Sequence, residues 1–253
     1  ELGQRLRPVI IEALHLFKDN GHLKIRDDQG GPLTFVIEDK ERPDLAYYRN
    51  NIVHFFIKDA VLATAVAASG SDDADSYETI ERSALMGHCR VLSEILKYEF
   101  AFASTASFDE AFEQSMQTFF DMGWLKHSSE RQVVRPETPA AGAEFLRALL
   151  LPSIESYWLT AWCVEDLLKK PMDKKEYVRH CFKRGRQMYL KDDLIYYESL
   201  SKPTFQTALT MLIQQGIVEL NDDDHLHISE TCLAQRGWRT IADSLASLKL
   251  TSF

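Results

Sequence analysis

Residues 47–56 read YYRNNIVHFF, which sets Arg49, Asn51 and His54 among Tyr47, Tyr48, Phe55 and Phe56. At helical steps of three and four, Tyr47, Asn51, His54 and Phe55 share one side, and Tyr48, Ile52, Phe55 and Phe56 an adjacent apolar side. Buried polar groups need partners, so these residue types allow three readings: a catalytic site, a packed polar network, or a solvated edge.

A second cluster of chemistry-bearing residues is basic. From Lys169 to Lys191 the chain carries nine Lys or Arg and two acidic residues. Tyr177, Val178, Cys181, Phe182, Met188 and Tyr189 form an apolar stripe on the same segment. Such a helix can pack by its stripe with its charges in water. It can also meet an anionic surface through Lys174, Lys175, Lys183 and Arg184, or steer a phosphate-bearing substrate. A third run, NDDDHLH at 221–227, has cation-ligand types but reads as a polar hairpin tip. No Gly-rich phosphate loop, G-x-S-x-G elbow or zinc spacing is present, and no cofactor or metal is expected.

The elements that must carry these residues follow from local patterns. Three segments share one order: IIEALHLFKDNGHLKI, AFEQSMQTFFDMGWLKH and FQTALTMLIQQGIVEL. In each, an amphipathic helix ends at a glycine (Gly21, Gly123, Gly216) where a C-cap needs positive φ, and a short apolar strand follows. A polar turn and a second strand come next. The spacing predicts winged-helix-like units near 4–38, 108–136 and 203–230. Asp44 is placed as the N-cap of a helix to about Ala68. Asp75 and Glu78 have capping-box spacing for a helix to about Tyr98. A long apolar helix is expected over 143–168, bent or interrupted at Pro152. Asp173 and Glu176 start the basic helix, which runs to about Tyr189, and a last amphipathic helix covers roughly 233–249. The fold class expected is mainly α, a helical region over 1–253 with small β-hairpins.

Composition narrows the function. Apolar residues make up 45% and charged residues 26% of 253, as in ordinary globular proteins. The formal net charge of -9 argues against a free-standing nucleic-acid binder. The helices at 108–122 and 204–215 hold no Arg or Lys, which leaves a winged-helix interaction or DNA-binding module only as the alternative. Cys89, Cys163, Cys181 and Cys232 are too far apart for a C-x-x-C pair and read as reduced core thiols. The apolar stretches 52–68 and 145–168 are both interrupted by charges and are not read as membrane spans. A chain that begins at Glu1 reads as a piece of a longer polypeptide.

Three blocks, in order, carry a resemblance: LAYYRNNIVHFFIKDAVLATAV, FLRALLLPSIESYWLTAWCVEDLL and YYESLSKPTFQTALTMLIQQGIVEL. Together they resemble the C-terminal region of membrane glycerol-3-phosphate acyltransferases of the bacterial and mitochondrial type. The resemblance implies an enzyme that transfers an acyl group from a thioester to glycerol 3-phosphate, giving lysophosphatidate. It implies a peripheral place on the cytoplasmic side of a membrane, with this fragment itself soluble. It also implies that the chemistry belongs to an upstream domain of the same polypeptide. That domain carries an N-H-R-S-x-x-D-like block, whose His acts as general base, and an F-x-E-G-x-R-S-like phosphate block.

Neither block is present here. FVIEDKER, at 35–42, lacks the Gly and Ser of the second. Two H-x-x-x-x-D spacings occur, His22/Asp27 and His54/Asp59. On a helix five residues turn through about 500°, which leaves the second pair about 140° apart. No catalytic residue is assigned. The opening stretch then has two readings: a core helix with its own partners, or a docking face in which Tyr48, Arg49, Asn51 and His54 meet the catalytic domain while Ile52, Phe55 and Phe56 hold this domain's core.

Overall fold

The computed structural model describes residues 2–26, 34–69, 79–100, 107–136, 140–235 and 237–250. The chain divides into two compact units, Glu1–Ile52 and Val53–Phe253.

The first unit opens with helix α1 (Leu2–Asp19). Gly21, at φ 82°, ends it: its N–H reaches the Lys18 carbonyl at 2.9 Å and the His22 N–H reaches that of Phe17 at 2.9 Å. Only a residue tolerant of positive φ closes a helix this way at no steric cost. Strands β1 (Lys24–Arg26) and β2 (Thr34–Val36) pair antiparallel, with Ile25 opposite Phe35. Helix α2 (Arg42–Val53) follows a 3-10 turn at Asp39–Glu41. Phe17 meets Tyr48 edge-on at 5.4 Å between centroids, and Leu23 is buried. Val9, Ile10, Ile11 and Leu16 of α1 remain exposed.

The single helix expected from Asp44 to Ala68 is two. Residues 54–56 form a turn, closed by the Phe56 N–H on the Val53 carbonyl at 2.9 Å, and α3 spans Ile57–Ala68. Ile52 to Phe56 is a run of β-branched, imidazole and aromatic side chains. Each loses χ1 freedom in a helix, so five in succession make the weakest point of the pattern.

The second unit is built around α6 (Ala141–Cys163), which is apolar nearly all round and therefore central. α3 packs on it, as do α8 (Lys202–Gln214) and α10 (Gly237–Leu250). α6 runs through Pro152, so of the bend or interruption expected there the interruption does not occur, and it ends at Cys163 in a 3-10 turn, Val164–Leu168. Helix α4 (Arg82–Leu96) packs on α3, and so does α5 (Phe108–Asp121). Ser107 caps α5 in a full capping box with Glu110.

Gly123 and Gly216 end α5 and α8 at φ 69° and 67°. After them come the hairpins β4–β5 (Lys126–His127, Gln132–Val134) and β6–β7 (Val218–Leu220, Leu226–Ile228). One strand was not expected. β3 (Thr79–Glu81) pairs with β5, Ile80 opposite Val133, so that sheet has the order β3-β5-β4. It stands where the helix now called α4 was expected to begin; the proposed caps Asp75 and Glu78 lie outside the described residues.

α7 (Lys174–Tyr189) starts as expected, the Asp173 carboxylate accepting from the Glu176 N–H at 2.7 Å. Toward the C-terminus the described residues form α9 (Glu230–Gln235) and α10, on either side of residue 236. All four cysteines are buried free thiols, and burial pushes Cys89 up to about 12.

Candidate functional site

Most of the described side chains of the opening stretch face solvent. Tyr48 is 50% exposed, Ile52 50% and Phe55 69%, and Phe56 is exposed too. Burial falls instead on Val53, at 1%, and on Ile57. The expectation that Ile52, Phe55 and Phe56 hold this chain's core is therefore overturned: the turn at 54–56 resets the helical phase, and the positions flanking it point inward. Arg49 Nε and Nη2 reach the neighbouring Asn50 Oδ1 at 3.4 and 3.3 Å. Asn51 is exposed, and the His54 ring lies 3.9 Å from that of Phe55.

Among the described residues, His54 and Asp59 form no pair. Asp59 accepts the Ser115 hydroxyl at 2.6 Å, joining α3 to α5. His22 Nδ1 meets Glu41 at 3.2 Å, and Asp27 lies outside the described residues. At the NDDDHLH tip, Asn221 Oδ1 accepts the N–H groups of Asp223 and His225, and Asp224 takes φ 59°, so these side chains shape a turn.

The basic segment folds as an amphipathic helix. Tyr177, Val178, Cys181 and Gly185 of α7 are buried, and Lys174, Lys175 and Lys183 are exposed. Arg184 is half-buried: its Nε lies 3.7 Å from Asp166, and its guanidinium sits 4.8 Å from the centre of the Trp162 ring. Asp166 and the residues after it fold back beside α7. Together they line a hollow of about 380 Å³ bounded by Asp166, Lys169, Lys170, Glu176, Arg179 and Lys183, with buried Met172 in its wall.

Asp166 organises the hollow's edge. It meets His180 Nε2 at 2.9 Å and Lys169 Nζ at 3.3 Å. Burial pushes its carboxyl up, but the bonds from His180 and Lys169 and the charge of Arg184 outweigh that and hold it below the usual carboxylate range. The sequence reading did not single out this residue. Its signal was the charge pattern, the acidic pair Glu165 and Asp166 just before Lys169 and Lys170, and two of its partners, His180 and Arg184, come from α7.

Among the described residues, two sets of side chains have ligand atoms within 4.8 Å of one another, Cys163 with Asp166 and His180, and His22 with Glu41 and Asp44. The first is poorly suited to a cation. Cys163 is fully buried, and Asp166 is already matched by Lys169, His180 and Arg184. The second couples one imidazole to half-buried or exposed carboxylates on the first unit.

No single helix among the described residues is long and apolar enough to cross a membrane. Comparison with known proteins adds the family. The signature of the glycerol-3-phosphate acyltransferase C-terminal region matches residues 3–221. Among curated relatives, a protein provisionally named acyltransferase plsB1 in Mycobacterium bovis is 22% identical over 224 residues, covering 84% of this chain and 34% of the relative. Its counterparts in two Mycobacterium tuberculosis strains match to the same extent. The chain thus spans about a third of the length of the curated relatives it matches.

Proposed function

Since this chain belongs to the family of the glycerol-3-phosphate acyltransferase C-terminal region, we propose that it is the non-catalytic C-terminal part of such an enzyme. The parent reaction joins an acyl group from a thioester to sn-glycerol 3-phosphate and yields lysophosphatidate for phospholipid synthesis. The chain's part is to support and dock the catalytic domain of the same polypeptide, and Tyr48, Arg49, Asn51 and His54 make the contact.

The exposure of the opening stretch carries this reading. Tyr48, Ile52, Phe55 and Phe56 are large, apolar or aromatic, and uncovered within ten residues of sequence. Large exposed apolar side chains close in sequence favour an interaction site, and the Arg, Asn and His among them fit an interface more than a core. The helix–Gly–hairpin units are read as winged-helix-like supports for the long helices.

An assay of the purified chain with acyl-CoA and glycerol 3-phosphate tests the division of labour. No turnover above the buffer rate is expected. Turnover that His54→Ala abolishes contradicts the reading.

A second role draws on a separate observation, the exposed Lys174, Lys175 and Lys183 of α7. These give the chain a peripheral contact with an anionic membrane surface, on the cytoplasmic side, with half-buried Arg184 at its margin. Co-sedimentation should then favour anionic over neutral liposomes and weaken with salt. Equal binding to both opposes it.

A further inference from the structure

We propose that the hollow beside α7 is a binding site for a phosphate monoester. Four cations line it, Lys169, Lys170, Arg179 and Lys183, against two carboxylates, Asp166 and Glu176, in a chain whose net charge is -9. Local concentration of positive charge against the global trend is what an anion site requires.

Both carboxylates are already satisfied. Asp166 is held by His180, Lys169 and Arg184, and Glu176 pairs with Lys170. Arg179 and Lys183 are left without an ion pair among the described residues. The nearby carboxylate that Arg179 feels, Asp173, is engaged in capping α7. Arg179 and Lys183 stand four residues apart, on one side of the helix and on the rim of one concavity.

The chemistry of the two residues is complementary. A guanidinium offers a planar fork that fits two phosphate oxygens, and an ammonium adds a point charge. A monoester carries up to two negative charges and three free oxygens, so it uses both. About 380 Å³ is room enough for a phosphate with a few carbons, and the Met172 side chain gives those carbons an apolar wall. The monoester is either free in solution or the headgroup of a lipid whose chains stay outside. The proposal rests on the reading above only for the choice of probes. A chain that docks its catalytic domain but binds no monoester refutes the site alone.

The experiment uses the whole 253-residue chain. Calorimetric titration with glycerol 3-phosphate, against sulfate, is the soluble arm. Co-sedimentation with phosphatidylcholine vesicles carrying phosphatidate, against the diester lipid phosphatidylglycerol at matched surface charge, is the lipid arm. Saturable binding that prefers the monoester is expected in one of the two arms, and the arm identifies the source. Arg179→Gln with Lys183→Gln should weaken it about tenfold or more without lowering the melting temperature. Arg186→Gln with Lys191→Gln, exposed and outside the hollow, should change it by less than about twofold. Failure to prefer the monoester in either arm overturns the proposal. So does an equal loss in both double variants, which reports membrane or bulk charge only.

Discussion

Ser199 donates its hydroxyl to Glu155 at 2.7 Å, across forty-four residues of chain. Glu155 is fully buried in the middle of α6, and it also accepts the N–H groups of Ile195 at 2.9 Å and Tyr196 at 3.1 Å. Ser156 adds a bond to the Ser199 carbonyl at 2.6 Å. One carboxylate thus fixes the connection between α7 and α8 onto the central helix. Hydrogen bonds to a charged group contribute about 1.5–3 kcal/mol each, and orphaned backbone donors add their own cost. Glu155→Ala should lower the unfolding free energy in urea by about 3 kcal/mol or more, and Ser199→Ala by about 1–2 kcal/mol. A loss under about 1 kcal/mol for Glu155→Ala would remove the carboxylate from its structural role.

Tyr157 makes the opposite case. It is fully buried on α6, and its hydroxyl has no hydrogen-bond partner among the described residues. An unsatisfied buried hydroxyl costs about 1–3 kcal/mol, so Tyr157→Phe should leave the melting temperature unchanged or raise it. A fall of several degrees shows that the hydroxyl has a partner in solution.

Glu99 gives a pH dependence. Burial raises its carboxyl above the usual range, only partly countered by the bond from Thr204 at 3.1 Å and the nearby Thr207 hydroxyl, and Oε2 has no partner among the described residues. A carboxyl raised in the folded state favours folding when protonated. Its contribution is complete below the unfolded pKa, about 4.3, and is lost as pH rises through the folded value. Glu99→Gln keeps an acceptor for Thr204 and removes the charge. It should raise the melting temperature by about 2–4 °C at pH 7, the equivalent of about 1 kcal/mol at this size, and by much less at pH 4. An equal effect at both values rules out titration as the cause.

Two glycines should respond to alanine for different reasons. At Gly216 an added Cβ meets nothing within 4 Å, so only the positive φ resists it, at about 1 kcal/mol. At Gly185, in the interior of α7, the same atom would lie 2.5 Å from Leu159 Cδ2 and 2.7 Å from Leu200 Cδ2. Alanine gains about 1 kcal/mol in helix propensity there, but overpacking costs about 1–3 kcal/mol and fully buried Leu159 has little room to yield. Both variants should be destabilised in urea. A more stable Gly185→Ala would mean that the two leucines repack freely.

The parts of this fold that were legible are those set by local chemistry. Gly21, Gly123 and Gly216 announced helix ends because few other residues take positive φ, and Asp173 announced α7 because its carboxylate caps a free N–H. What escaped depended on distant partners. β3 is three residues long, too short for an alternating pattern, and exists through pairing with β5. The turn at 54–56 was hidden because apolar residues continue at helical intervals across it. The exposure of Phe55 and Phe56 followed from that missed turn. The hollow beside α7 could not be seen as a site, since Asp166 and Lys169 lie on one turn and Arg179 and Lys183 on α7, and the two meet only in the fold. The candidate interface was legible as a conflict on one segment, aromatic groups mixed with Arg, Asn and His, but which of them faced outward was not.

Docking is tested most directly by mixing. The catalytic domain of a parent acyltransferase, made separately, is titrated with this chain by calorimetry and passed with it over a sizing column. The account predicts a single complex. Tyr48→Ala, Arg49→Ala, Asn51→Ala and His54→Ala should together weaken it about tenfold or more, while the melting temperature of the chain alone barely moves. Absence of a complex contradicts the account. So does a complex that ignores these four substitutions, or a large fall in the stability of the isolated chain, which would make the four residues a polar network serving this fold alone.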